Sequence, residues 1–165
     1  MPYRKTIEFK CKVVLVTGGH YIMDSLHCAV VMRSKCLNEN QQVVNDIDLN
    51  GLVGLFQAQW SGSAFIHKKE LDDNPQMKTG LLKVITTLIL PTKEYLAKEL
   101  HDEVQAWIDK NVDKANGLEL VKTRVTVADI SAEYSEEAAV EKQYVTNQRG
   151  AGADGGTASA AKARN

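Results

Sequence analysis

An α+β fold, with one antiparallel sheet and two helices on one of its faces, is what the sequence predicts. Three observations carry it. Residues 4–16, RKTIEFKCKVVLV, alternate apolar and charged side chains, the period of a half-buried strand. Leu96, Leu100, Val104, Trp107 and Ile108 recur at helical spacing. Residues 118–127, LELVKTRVTV, alternate again. Period two at both ends with a helical period between them gives the order β-β-α-α-β-β, a four-stranded sheet carrying two helices.

The elements follow in order. In the first strand Ile7, Phe9, Cys11 and Val13 point one way and Glu8, Lys10 and Lys12 the other, and Gly18-Gly19 ends it. A second strand is predicted over His27–Leu37, joined to the first by a short connection that favours antiparallel pairing. Asp48 is read as the N-cap of a helix with Leu49, Leu52, Val53, Phe56 and Trp60 on its buried face, stopped by Ser61-Gly62-Ser63. Residues 80–90, GLLKVITTLIL, fit a strand or the lead-in to a buried helix equally well. Pro91-Thr92 opens the second helix, with Thr92 as N-cap and Glu94 in the first turn; Lys93, Lys98, Glu99, Asp102 and Glu103 are expected to face water. Gly117 precedes the third strand, and a last strand, part of which has helical propensity, is expected over Tyr134–Thr146. An open sheet of this kind leaves edges that are normally covered or paired, so self-association is expected.

Composition narrows the function. The 165 residues carry 20 Lys+Arg against 21 Asp+Glu, a net charge of −1, which argues against a dedicated nucleic-acid binder or a polybasic membrane binder. No apolar run reaches the ~20 residues of a membrane-spanning helix. The stretch after Met1-Pro2-Tyr3-Arg4-Lys5 is broken by Glu8, Lys10 and Lys12 and reads as a strand rather than a signal peptide. Cys11, Cys28 and Cys36 are too few and too irregular for a disulfide framework, so a reducing, cytoplasmic location is expected. Residues 148–165, QRGAGADGGTASAAKARN, hold no large apolar side chain and are predicted to be a flexible tail outside a folded domain of residues 1–147.

Several stretches, in order, resemble the 6-pyruvoyl-tetrahydropterin synthase and 6-carboxytetrahydropterin synthase family. Val44-Asn45-Asp46-Ile47-Asp48-Leu49 is similar to the family's segment after the second strand. Phe65-Ile66-His67 with Glu70-Leu71-Asp72-Asp73 resembles its Leu-Asp-His segment. Pro91-Thr92-Lys93-Glu94-Tyr95-Leu96 resembles its Pro-Thr-x-Glu helix opening, and Val125-Thr126-Val127-Ala128-Asp129 stands where it has a strand ending in Glu-Thr. The resemblance covers about residues 5–135. It implies the tunnelling fold, with β-β-α-α-β-β subunits oligomerising edge to edge into a hexamer-like barrel.

What the resemblance implies for chemistry is carried over residue by residue. The family holds zinc on three histidines, one after the first strand and a His-x-His pair in the second. His20 and His27 match the first two, and Ala29 occupies the third position. Three imidazoles and an open position would make a catalytic zinc site. The family's proton-abstracting thiol falls on Met23, with Asp24 adjacent as the remaining base candidate. Its Asp-His relay retains His67 alone, because the Asp position is Ile66. The carboxylate that anchors the pterin ring falls on Asp129, with Glu94 beside it as a ligand-binding candidate; a turn role for Asp129 is the equal alternative. The implied ligand is a pterin, of dihydroneopterin triphosphate type, or a purine-like molecule. Two functions stay open: a zinc-dependent carbon-oxygen lyase, or a tunnelling-fold oligomer with a structural, binding or regulatory role. A small interaction protein whose histidines are incidental is the third reading.

Overall fold

The computed structural model describes residues 2–76, 83–113 and 116–136. The predicted tail and residues 137–146 of the predicted last strand lie outside them.

The chain begins with a long hairpin. β1 (Tyr3–Thr17) and β2 (His20–Ser34) pair antiparallel in unbroken register from Tyr3↔Ser34 to Thr17↔His20. The loop is the two residues Gly18 and Gly19, with φ of 57° and 80°. Positive φ at both positions is what a tight turn matching the twist of paired strands needs, and glycine adopts it without a Cβ clash. β2 therefore starts seven residues before the predicted His27. Tyr21 to Asp24 are exposed and show no apolar alternation, so it is pairing with β1 that makes them a strand.

α1 (Asp46–Trp60) follows. Its N-cap is Asn45 rather than Asp48, which sits in the first turn; the Asn45 amide is instead tied to Asn38, Asn40 and Asp48. β3 (Ser63–His67), α2 (Lys68–Asp73) and β4 (Val84–Thr87) come next. The ambiguous 80–90 segment thus contributes a strand. α3 (Lys93–Asn111) is capped as expected, the Thr92 hydroxyl accepting from the Tyr95 amide at 3.2 Å. β5 (Glu119–Val127) and β6 (Ile130–Tyr134) close the described chain with a second two-residue hairpin turn, Ala128-Asp129.

The sheet has six strands in the order β4-β3-β1-β2-β5-β6. β1, β2 and β5 are the first three expected antiparallel strands; β6 precedes the segment expected for the fourth and shares only Tyr134 with it; β3 and β4 add a parallel extension beside β1. β3 was not separable from its flanks because SAFIH is buried on both faces and does not alternate.

α1 and α3 cover one face of the sheet. Phe9, Cys11, Val13 and Leu15 of β1 meet Leu26, Cys28, Val30 and Met32 of β2 there, under Leu49, Leu52, Phe56 and Trp60 of α1 and Leu96, Leu100, Val104 and Ile108 of α3. An aromatic chain runs through it, with ring centroids 5.6 Å apart for Phe9–Phe56, 5.3 Å for Phe56–Trp60 and 5.5 Å for Trp60–Phe65. Such pairs contribute about 0.5–1.5 kcal/mol each beyond their buried area. Among the described residues no helix is long and apolar enough to cross a membrane.

Candidate functional site

The hairpin turn, α2 and the start of α3 converge at one end of the sheet. They enclose an open cleft of about 1040 Å³ lined by Gly18, Gly19, His67, Lys69, Glu70, Asp73, Asn74, Ile89, Leu90, Thr92 and Glu94. The turn is fastened to α2 by Glu70, whose two carboxylate oxygens accept from the amides of Gly18 at 3.2 Å and Gly19 at 2.6 Å. A carboxylate receiving two backbone N–H bonds is a strong, charge-assisted contact. It fixes one wall of the cleft.

His67 ends β3 and caps α2, its Nδ1 accepting from the Lys69 amide at 2.9 Å. A ring nitrogen that accepts carries no proton, so in the neutral imidazole the proton sits on Nε2. His67 thus presents an N–H hydrogen-bond donor toward the cleft. Glu94 offers carboxylate acceptors from the first turn of α3, while the neighbouring Thr92 hydroxyl is already used as the helix cap. Ile89 and Leu90, 52% and 51% exposed, supply an apolar wall.

Of the residues singled out in the sequence, the structure brings His67 and Glu94 into this cleft and leaves the others outside it. His20 and His27 are both exposed on β2 but seven residues apart, which places them on opposite faces and about 23 Å apart along the strand at ~3.3 Å per residue. Ala29 shares the face of His27 and is 4% exposed. Within one chain these residues do not fit a three-histidine zinc site. Asp24 pairs opposite Val13, and its carboxylate accepts from the Ser25 amide at 2.7 Å, away from the cleft. Met23 beside it is 81% exposed. Asp129 lies in the β5–β6 turn with φ of 69°. Because Thr126 pairs with His27, that turn stands beside the middle of β2, well short of the Gly18-Gly19 end. Its geometry is that of the turn residue.

Two of the three thiols, Cys11 and Cys28, belong to the core, and Cys36 is exposed. Burial pushes Cys28 far above the ordinary thiol range, with Cys11 adding to it; Cys11 is raised by burial, which outweighs a bond from Ser61. Neither is a thiolate at neutral pH.

Sequence reasoning missed a second cluster. Among the described residues, the one group of three or more possible metal-binding side chains is His101, Asp102 and Glu136, whose ligand atoms lie within 4.8 Å of one another. His101 is 1% exposed, and neither ring nitrogen has a hydrogen-bond partner. Its ring packs edge-on against Tyr134 at 4.9 Å. Burial lowers its pKa against the opposing pull of Glu136 and Asp102. A signal was present in the sequence: Ala97, His101, Val104 and Ile108 are spaced by four, three and four, putting His101 on the buried stripe of α3. Glu136 joins only through the packing of β6.

No family model matches the chain, and no curated protein matches it. Solved structures do. An uncharacterized protein from Wolinella succinogenes is similar at a TM-score of 0.64 and 11% identity, over 81% of this chain and 98% of that one. A catalytic-residue mutant of 6-pyruvoyltetrahydropterin synthase from Plasmodium vivax is similar at 0.55 and 12%, over 81% and 98%. The Plasmodium falciparum 6-pyruvoyl tetrahydropterin synthase is similar at 0.55 and 11%, over 80% and 96%. At such identities the likeness speaks to architecture alone. With its long N-terminal hairpin, its helices on one face and its closing hairpin, the chain has the tunnelling fold.

Proposed function

We propose that this tunnelling-fold chain binds a pterin- or purine-type ring in the cleft between the Gly18-Gly19 turn, α2 and α3, and that its role is binding rather than the zinc-dependent lyase reaction. The observation that carries the reading is the lining of the cleft, where His67 and Glu94 share an open groove with an apolar wall. A flat heterocycle stacks on Ile89 and Leu90. Its amino and ring N–H groups donate to the carboxylate of Glu94, its carbonyl accepts from Nε2–H of His67, and an anionic side chain meets Lys69. The lyase reaction asks more. It needs a metal to polarise the substrate and a base to take a carbon-bound proton. His20 and His27 stand on opposite faces of β2, and His67 holds its proton on the side that is free. The similarity of fold to 6-pyruvoyltetrahydropterin synthases supports the ring class and not the reaction.

The test is a fluorescence titration of the full chain with neopterin and with dihydroneopterin triphosphate. One ring per chain is expected. Glu94→Gln keeps the side chain's size but loses the charge-assisted acceptor, and it weakens binding by about 10-fold, the equivalent of 1.4 kcal/mol. No saturable binding of either compound would leave the second reading, an oligomeric scaffold, which the outermost strands β4 and β6, each paired on one side only among the described residues, favour.

A further inference from the structure

The His101 cluster lies on α3 and beyond β6, and none of its residues lines the cleft. Its chemistry is unexplained by packing. A buried imidazole normally finds a partner for at least one nitrogen, because desolvating both without a bond is costly. Here Nδ1 faces Asp102 Oδ1 at 3.8 Å, too long for a hydrogen bond. Two ligands of one tetrahedral zinc, each about 2.0–2.1 Å from the ion, stand about 3.4 Å apart, so the spacing suits an ion better than a proton. The other Asp102 oxygen, Oδ2, is held by Lys98 Nζ at 2.7 Å, which turns Oδ1 toward the imidazole. Lys98 is itself set over the Tyr134 ring, 5.5 Å from its centre. Tyr134 in turn holds the His101 ring edge-on. This is how outer-shell groups orient metal ligands.

We infer that His101, Asp102 and Glu136 form a binding site for a divalent ion of the zinc class. One imidazole and two carboxylates are a borderline donor set that suits first-row ions such as zinc or manganese. The site stands apart from the histidines of β2, and the inference is independent of the ring-binding function.

Zinc and cobalt are the probes. Equilibrium dialysis of the full chain with Zn²⁺ is expected to give one tightly held ion per chain. Asp102 and Glu136 are exposed, so Asp102→Asn and Glu136→Gln keep the fold; each is expected to weaken binding at least 10-fold with an unchanged circular-dichroism spectrum. His20→Ala and His27→Ala are expected to leave it intact. Co²⁺ in the same site is expected to show d–d absorption without the thiolate charge-transfer band that Cys11, Cys28 or Cys36 would produce. Absence of bound zinc, affinity unchanged in both carboxylate variants, loss in the β2 histidine variants, or a thiolate band would each overturn the assignment.

Discussion

Ala128 and Asp129 have φ of 51° and 69°, left-handed values that an L residue adopts at a cost of roughly 1–2 kcal/mol. Asp tolerates this region better than most residues, but Ala has no side chain to compensate. The turn is needed because Val127 pairs with Ile130, leaving two residues to reverse the chain. Ala128→Gly relieves the strain and gives back part of it through a freer unfolded chain. The net expectation is a gain of about 0.5–1 kcal/mol, or about 1–4 °C in a thermal melt for a chain of this size. A melting temperature that stays put or falls would show that the turn is not strained at Ala128. The same geometry accounts for Asp129. Its place after a strand was readable from the sequence, but whether it anchors a ring or makes a turn depends on where that turn lies along β2. That is a fact of register, and local pattern does not contain it. Glu94, by contrast, sits in the first turn of a helix that Pro91-Thr92 already marked, whereas α2, which His67 caps, was not expected from the sequence.

At the scale of elements, α3 shows what a periodic pattern reveals and what it hides. The stripe Leu96, Leu100, Val104, Ile108 is buried as its spacing requires. The polar face is less simple. Glu99 and Glu103 are half-buried rather than water-facing, and burial, with Glu99 and Asp102 adding repulsion, pushes Glu103 up to about 7. Its folded pKa exceeds the ordinary 4.5, so between those values the native state holds a proton that the unfolded chain has released. The linkage slope is then negative: the contribution of Glu103 to stability falls as pH rises from about 4.5 through 7. Glu103→Gln stays neutral throughout. It is expected to match the wild type in urea unfolding near pH 4 and to exceed it at pH 8. His101, lowered by burial, acts in the opposite sense at acid pH but is common to both proteins and cancels in the difference. A constant difference between the two proteins across this range would mean that Glu103 titrates as an exposed carboxylate. Strongly alternating strands and the capped helix were legible because local rules set them. β3, β4 and the first seven residues of β2 were not, since pairing partners distant in sequence impose them.

For the whole molecule the unanswered demand is at the two ends of the sheet. β4 and β6 are its outermost strands, each paired on one side only among the described residues. Natural edges are usually blunted by charge, proline or a covering element. β6 has Glu133, which is engaged by Lys122 and Arg124 of β5, and β4 reads Val-Ile-Thr-Thr. Apolar side chains stand exposed close to both, Ile130 at 63% and Leu88 at 83%. An edge of this kind would be stabilised by pairing with another copy, and the contact expected here is β6 of one chain against β4 of the next. That contact is heterologous, and it closes into a ring or runs on as a filament according to the rotation it imposes. The twist of a six-stranded sheet supplies a steady rotation from copy to copy, which favours closure. Native mass spectrometry of the full chain is therefore expected to give one discrete oligomer. Ile130→Lys places a charge in the joint and is expected to shift the population to smaller species, with the circular-dichroism spectrum of each chain unchanged. A ladder of masses would mean an open array. A wild-type monomer at every concentration would show that the edges are protected without a partner copy.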